Sequence, residues 1–244
     1  MSELHETEAA LKEAVDTARA NKQTLPSKGD SWGVDLTGAY RIQSLRFRGK
    51  PLKGYKLGLL SPAKQEQMNI DQPTYGRITS DMLLDGVIRL KTYLQPRVEP
   101  EVAAVLNREL PAGSDVRAAA AAIGGYFTAV DVLDSVWQDY RFTAAEVVAD
   151  NTSGGGFLLD TRLLTDPPTG DLELHHNGEL RSSGSVGVLG DLTSQLCELA
   201  KRVGGLFAGQ VVFFGSPAAA VPLQAGVLEV VSNTGVLTVP VEDR

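Results

Sequence analysis

After Gly54 the chain breaks into short apolar runs separated by glycine, proline and aspartate, and helical patterns interrupt them only twice. The runs YKLGLL, GVIRL, VEPEVAAVL, GGYFTAVDVLD, SGSVGVLG, GQVVFFG and GVLEVVSNTGVLTVPV have strand length, and many are rich in β-branched or aromatic residues. A doubly wound parallel sheet needs strands and helices in steady alternation. This texture excludes that architecture and points to a mixed sheet of the α+β class. The two helical interruptions are SDVRAAAAAIGG, with Ser114 or Asp115 as N-cap, and GDLTSQLCELAKRVGG, capped by Asp191 and stopped at Gly204. SGGGF reads as a short, flexible or tightly turning element, and the last run holds a hairpin turn at Ser232 to Gly235.

Upstream of Gly54 the pattern is helical. Leu4, Ala9, Leu11, Ala14, Val15 and Ala18 form an apolar stripe that predicts one helix from about Glu3 to Asn21. A polar segment with Pro and Gly follows, then a second helix in DLTGAYRIQSLRFRG, with Asp35 or Thr37 as N-cap and Gly49 after its end. The expected organisation is a helical cap over residues 1–50 and a mixed-sheet catalytic body over 51–244. With 244 residues, 43% apolar and 22% charged, there is enough chain to bury a substantial core.

Charge and cysteine usage narrow the function. A formal charge of -7 argues against nucleic acid as a partner, and the cluster Arg46, Arg48, Lys50 and Lys53 reads as a solvated helix end and loop. The acidic, amphipathic N-terminus lacks the apolar core of a signal peptide, and no apolar run approaches the ~20 residues that span a bilayer. The single Cys197 allows no internal disulfide, sits at helical spacing and reads as a buried, inert thiol. A cytoplasmic location without membrane contact is therefore expected.

Chemistry concentrates in three places. In Arg97-Val98-Glu99-Pro100-Glu101, strand alternation sends Glu99 and Glu101 to the same face. Two carboxylates side by side either mark an acidic, solvated edge strand or share a hard cation such as Mg²⁺ or Mn²⁺. Asp131 is flanked by Val130 and Val132, where an unpartnered carboxylate is expensive to bury; a third ligand to the same cation is one explanation, a strand-end cap or turn the other. Asp134 suits the cap better. Lys56 lies between Gly54 and Gly58 among apolar neighbours, and its amine either turns inward to hold a carboxylate or transfer a proton, or snorkels to the surface. His175-His176 is followed directly by Asn177-Gly178, which favours an exposed hairpin turn over a ligand pair.

The ordered set GYKLGLLSPAKQEQM, DQPTYGRITSDM, QPRVEPEVAAVL, AVDVLDS and VVADNTSGG resembles the hydratase/decarboxylase branch of the fumarylacetoacetate hydrolase superfamily. That branch includes 2-oxopent-4-enoate hydratases and 4-oxalocrotonate decarboxylases, and the resemblance runs from about Ala39 to Val241. It implies a mixed β-roll of the fumarylacetoacetate-hydrolase type, a homo-oligomer, one divalent cation (Mg²⁺ or Mn²⁺) and a small 2-oxo acid substrate. Carried over by position, Glu99 and Glu101 match the two ligands of the E-x-E motif and Asp131 the third. Lys56 matches the active-site lysine, and Ser153 a serine lining the substrate pocket.

The departures from the family pattern bear on the reaction. Hydratases of the branch usually carry an aspartate where this chain has Thr74, whereas decarboxylases tend to read P-x-Y-G, as in Pro73-Thr74-Tyr75-Gly76. Relatives read D-S-R where Asp134-Ser135-Val136 stands here, Thr-Gly near Phe214-Gly215-Ser216, and Gly-Asp at Gly226-Val227. Vinylogous loss of CO₂ needs an electron sink and no general base, while hydration gains about 10²- to 10⁴-fold from a placed acid-base group. Thr74 cannot be a carboxylate base, so a decarboxylase of an unsaturated 2-oxo diacid is expected. A hydratase using Lys56, Asp71 or Asp81 instead, an acylpyruvate hydrolase or an oxaloacetate-type decarboxylase are the alternatives on this scaffold. A non-catalytic relative that binds a partner or builds an oligomer is the alternative of another class.

Overall fold

A computed structural model of the chain describes residues 4–60 and 62–243. Glu3, where the first helix was expected to begin, and Ser61, within one of the quoted motifs, lie outside the described residues. The helix α1 spans Glu6–Asn21 and α2 spans Leu36–Arg46, the latter capped by Asp35 accepting from the Gly38 amide. Strand β1 (Leu52–Gly58) follows, then a short α3 (Pro62–Gln67), β2 (Thr74–Thr79), β3 (Ile88–Arg89) and the long β4 (Arg97–Leu106). Next come α4 (Val116–Ala122), β5 (Ile123–Leu133), α5 (Ala144–Ala149), β6 (Gly154–Leu159), β7 (Asp171–His176) and β8 (Glu179–Ser185). The chain ends with α6 (Leu192–Val203), β9 (Val211–Phe213), β10 (Val221–Pro222), β11 (Gly226–Ser232) and β12 (Gly235–Glu242). No helix among the described residues is long and apolar enough to cross a membrane.

Two mixed sheets result, as the texture of the sequence led one to expect. The larger runs β2-β1-β9-β4-β5-β6 with β10 beside β4, and the smaller runs β3-β12-β11-β7-β8. Antiparallel pairing of β4 with β5 sets Glu99 opposite Asp131, Val98 opposite Val132 and Pro100 opposite Val130. Alternation then divides the chemistry. Val98, Val130 and Val132 pack with Leu174, Leu228, Val230 and Val239 of the smaller sheet. Toward the other end, Tyr55, Leu57, Val102 and Val212 pack with Leu196 and Leu199 of α6 and Ala119 of α4. The carboxylates are left for the remaining face, which closes on itself through Ala103, Ala129, Phe157 and Phe213.

Helices α1 and α2 bury Leu11, Val15, Ala39 and Ile42 against Val147 and Val148 of α5 and the fully buried Trp137. Ion pairs fasten this assembly. Arg19 of α1 reaches Asp134 at 2.5 Å and Asp150 at 2.9 Å, and also donates to the Asp134 carbonyl. Asp150 in turn accepts from the Val136 amide. Both aspartates are buried, and without the guanidinium Asp134 keeps the Leu94 and Gln95 amides but loses its ion pair, while Asp150 keeps Arg46 at 3.6 Å. Arg19→Met is expected to lose about 3 kcal/mol of stability, read as a fall in melting temperature of roughly 6–12 °C for a chain of this size. A melt unchanged within error would mean that water replaces the guanidinium freely.

Several local expectations are corrected. SGGGF is no turn: it opens β6, paired antiparallel with β5 so that Val132 faces Gly156. Its glycines permit close approach, since a Cβ on Gly155 would lie 2.8 Å from the Val132 carbonyl and one on Gly156 2.4 Å from the Tyr93 hydroxyl. SGSVGVLG is strand only as far as Ser185, after which Val186–Leu189 form a 3₁₀ turn. Arg46 is not solvated; it pairs with Asp16 at 2.7 Å and donates to the Ala149 carbonyl. Cys197 is half-buried rather than buried, with burial pushing its thiol up. The Asn177-Gly178 turn forms as expected between β7 and β8, with His176 buried before it and His175 2.9 Å from Glu173.

Candidate active site

The E-x-E motif is built by strand geometry alone. Because β4 continues as regular strand through Pro100, Glu99 and Glu101 emerge on one side, and the register places Asp131 directly across from Glu99. Each of the three carboxylates offers an oxygen within 4.8 Å of the others. Glu101 and Asp131 are fully buried, whereas Glu99 lines an open cleft. The solvated-edge reading of this motif fails on that burial.

Lys56 turns inward. Backbone pairing in parallel with β9 and antiparallel with β2 holds its strand inside the sheet, and the side chain is 3% exposed. Nζ stands 2.5 Å from Asp131 Oδ2 in a buried ion pair. Burial alone would lower the lysine's affinity for its proton, but Asp131, Glu101 and Glu99 together raise it. The ammonium therefore keeps its charge. Burial and the neighbouring Asp131 carboxylate push Glu101 well above the usual carboxylate range, with Lys56 opposing. Burial likewise raises Asp131 against the pull of Lys56.

Three carboxylates, two of them fully buried, thus converge on the Lys56 ammonium. Glu101 Oε2 accepts from the Gly215 amide at 2.9 Å, but Glu101 Oε1 and Asp131 Oδ1 are buried without a hydrogen-bond partner among the described residues. Orphaned carboxylate oxygens are strongly disfavoured. Their convergence fits a hard divalent cation, which takes oxygen ligands and neutralises the excess charge.

Ser153 reaches the same cleft from an unusual turn. Asn151, Thr152 and Ser153 all adopt left-handed backbone, with φ of 58°, 54° and 54°. Such a run of non-glycine residues is unfavourable and persists only where the surroundings enforce it. Here they do: Asn151 brackets Arg77 by accepting from its amide and donating to its carbonyl, Thr152 donates to the Tyr75 carbonyl, and the Asp134 amide donates to the Ser153 carbonyl. Ser153 Oγ is buried without a hydrogen-bond partner among the described residues.

The cleft has a volume of about 620 Å³, and Lys56, Glu99 and Ser153 open onto it. Its walls include Leu59, Leu60, Phe142, Val147 and Leu189, with the 215–220 loop on one side. Thr74 is fully buried on β2 opposite Gly58 and is not part of the described lining. Arg97 and Tyr140 also line the cleft; neither is singled out by the sequence reading. Period-two alternation from Glu99 would have found Arg97, whereas no local pattern announces Tyr140.

The fumarylacetoacetate hydrolase C-terminal family model matches residues 64–241. The chain belongs to this family. Its relatives include a 4-oxalocrotonate decarboxylase of Pseudomonas sp., 31% identical over 89% of this chain and 90% of that protein. A 2-keto-4-pentenoate hydratase of Burkholderia vietnamiensis is 32% identical over 85% of this chain and 86% of that protein. Among solved structures, the 4-oxalocrotonate decarboxylase of Pseudomonas putida G7 complexed with magnesium and adipate aligns with a TM-score of 0.88 at 27% identity. The alignment covers 98% of this chain and 99% of that one. This family member therefore has the expected α+β fold along nearly its whole length.

Proposed function

We propose that the chain is a divalent-cation-dependent lyase that decarboxylates an unsaturated 2-oxo diacid of the 4-oxalocrotonate type. The observation that carries this reading is the convergence of Glu99 with the buried Glu101 and Asp131, with unpaired oxygens on the last two, beside a charged Lys56. Glu99, Glu101 and Asp131 would hold the cation, Mg²⁺ or Mn²⁺, which supplies a Lewis acid for the substrate's 2-oxo group. Lys56 balances the carboxylates' charge and presents an N–H donor where negative charge collects. Ser153 Oγ, with no competing partner among the described residues, offers a hydroxyl to a substrate oxygen. The apolar walls keep the dielectric low, so each of these contacts acts more strongly than it would in water.

Decarboxylation is preferred over hydration because Thr74 supplies no carboxylate at the position the hydratases use. The 2-keto-4-pentenoate hydratase reading is the second one, favoured by relatives of equal identity that bear that name. The helical segment 1–50 serves as a cap on the catalytic body 51–244. The protein acts in the cytosol, for which a lone half-buried cysteine is suited, and as a homo-oligomer. A spectrophotometric assay with Mg²⁺ separates the reactions. Loss of 4-oxalocrotonate with stoichiometric CO₂, abolished by chelator, is expected; consumption of 2-hydroxypenta-2,4-dienoate alone would make the chain a hydratase.

A further inference from the structure

Two cationic side chains among the described residues line the cleft, and they differ in what occupies them. Lys56 is committed to Asp131 and its neighbours. Arg97 makes no ion pair and donates no hydrogen bond to a described residue; its contact is the ring of Tyr140, with the guanidinium carbon 4.3 Å from the ring centroid. A guanidinium stacked on an aromatic face keeps its edge N–H donors free for a planar anion.

Its placement is fixed from both sides. Arg97 opens β4 and pairs with Leu133, one pleat beyond the Glu99–Asp131 pair, so its side chain leaves the sheet on the carboxylates' face. Tyr140 is held by donation of its hydroxyl to the Gln95 carbonyl at 3.1 Å and by positive φ at both Asp139 and Tyr140, 56° and 58°. Left-handed backbone at two successive non-glycine residues is a local strain that serves to aim a side chain. The aromatic platform is thus as fixed as the arginine that lies on it.

We infer that Arg97, backed by Tyr140, is the specificity residue for the second carboxylate of a dicarboxylate substrate, the one remote from Glu99, Glu101 and Asp131. The inference rests on the function proposed above, which puts the 2-oxo acid end of the substrate at those three carboxylates. Alternate strand residues on one face stand about 6.6 Å apart, a length that an extended six-carbon diacid spans. Charge points the same way: a divalent cation and Lys56 balance the three carboxylates and leave nothing over for the substrate, so Arg97 supplies one positive charge against a dicarboxylate's two negative ones. The contact also has a kinetic signature. The carboxylate that leaves as CO₂ gives up its charge on the way to the transition state, so Arg97 holds the bound substrate more firmly than the reacting one. Removing such a residue raises KM and does not lower kcat.

The test uses the Mg²⁺-loaded protein with adipate and hexanoate as a matched diacid and monoacid, their affinities measured by titration calorimetry. Wild type is expected to prefer adipate. Arg97→Met should weaken adipate by about 10- to 100-fold, the effect of one charge-assisted contact, and leave hexanoate within twofold. Arg97→Lys should recover part of the loss, since it restores the charge without the fork. With 4-oxalocrotonate, KM should rise in Arg97→Met by a similar factor. An adipate preference that survives in Arg97→Met, equal weakening of both acids, or no preference in wild type would each overturn the inference. Failure of wild type to turn over 4-oxalocrotonate, with the adipate preference present and lost in Arg97→Met, would instead remove the proposed reaction and leave the subsite standing.

Discussion

Glu101→Gln is expected to destroy activity and, in the metal-free protein, to raise thermal stability. The side chain keeps its shape and can still accept from the Gly215 amide, but it no longer brings a charge into a fully buried position beside Asp131. Burial and the Asp131 charge hold the Glu101 carboxyl well above its ordinary range, which means that its ionised form is disfavoured in the fold. Removing the charge relieves that repulsion. The same change deletes a ligand that the cation needs, and turnover with Mg²⁺ should fall by about 10³-fold or more. Calorimetric Mg²⁺ titration, a melting curve and an initial-rate assay on one preparation check all three. A variant that binds Mg²⁺ as wild type does while melting lower would show Glu101 to be a packing residue and sink the assignment.

Lys56→Met works in the opposite direction. It leaves Asp131 and Glu101 buried with no counter-charge, the situation in which breaking an ion pair costs about 3–5 kcal/mol. Metal-free Lys56→Met should therefore melt roughly 6–20 °C below wild type. Mg²⁺ should restore more stability to it than to wild type, because the cation then supplies the only positive charge in the cluster. Activity should drop at least ~10²-fold, the loss of one donor aimed at developing charge. An equal response of both proteins to Mg²⁺ would mean that Lys56 does not share the cation's electrostatic environment. Measured together, the two variants separate charge balance from ligation: one is stabilised and inactive, the other destabilised and rescued in fold by metal.

Legibility in the sequence followed the range of the interactions. The pairing of Glu99 with Glu101 was readable because strand alternation is a local rule, and the helices capped by Asp35, Asp115 and Asp191 start where their caps stand. The inward turn of Lys56 was left open by its neighbours alone. Its burial is set by flanking strands, β2 beyond the next short helix and β9 near the far end of the chain. Helix α5 went unread although Thr143 and Glu146 carry a capping-box spacing, since its six residues are too few to show a periodic stripe. The strand nature of Gly154–Leu159 was hidden for another reason. Local propensity argues against a glycine-rich strand, and it is neighbours such as the Val132 carbonyl, Asp134 Cβ and the Tyr93 hydroxyl, pressing on the backbone from outside, that explain why side chains are missing there. Arg46 misled in the same way, its partners Asp16 and Ala149 lying in other helices.

The left-handed run at Asn151, Thr152 and Ser153 bears on how such a chain evolves. Each of those residues holds a conformation that glycine would adopt with less strain, so drift toward glycine there would favour the fold while dissolving the turn's contacts with Tyr75, Arg77 and the cleft. Selection for stability and selection for catalysis pull this turn apart, whereas in the buried sheet they act together. A lineage of this family that had given up its chemistry would therefore record the loss first in these three positions, well before its core began to change.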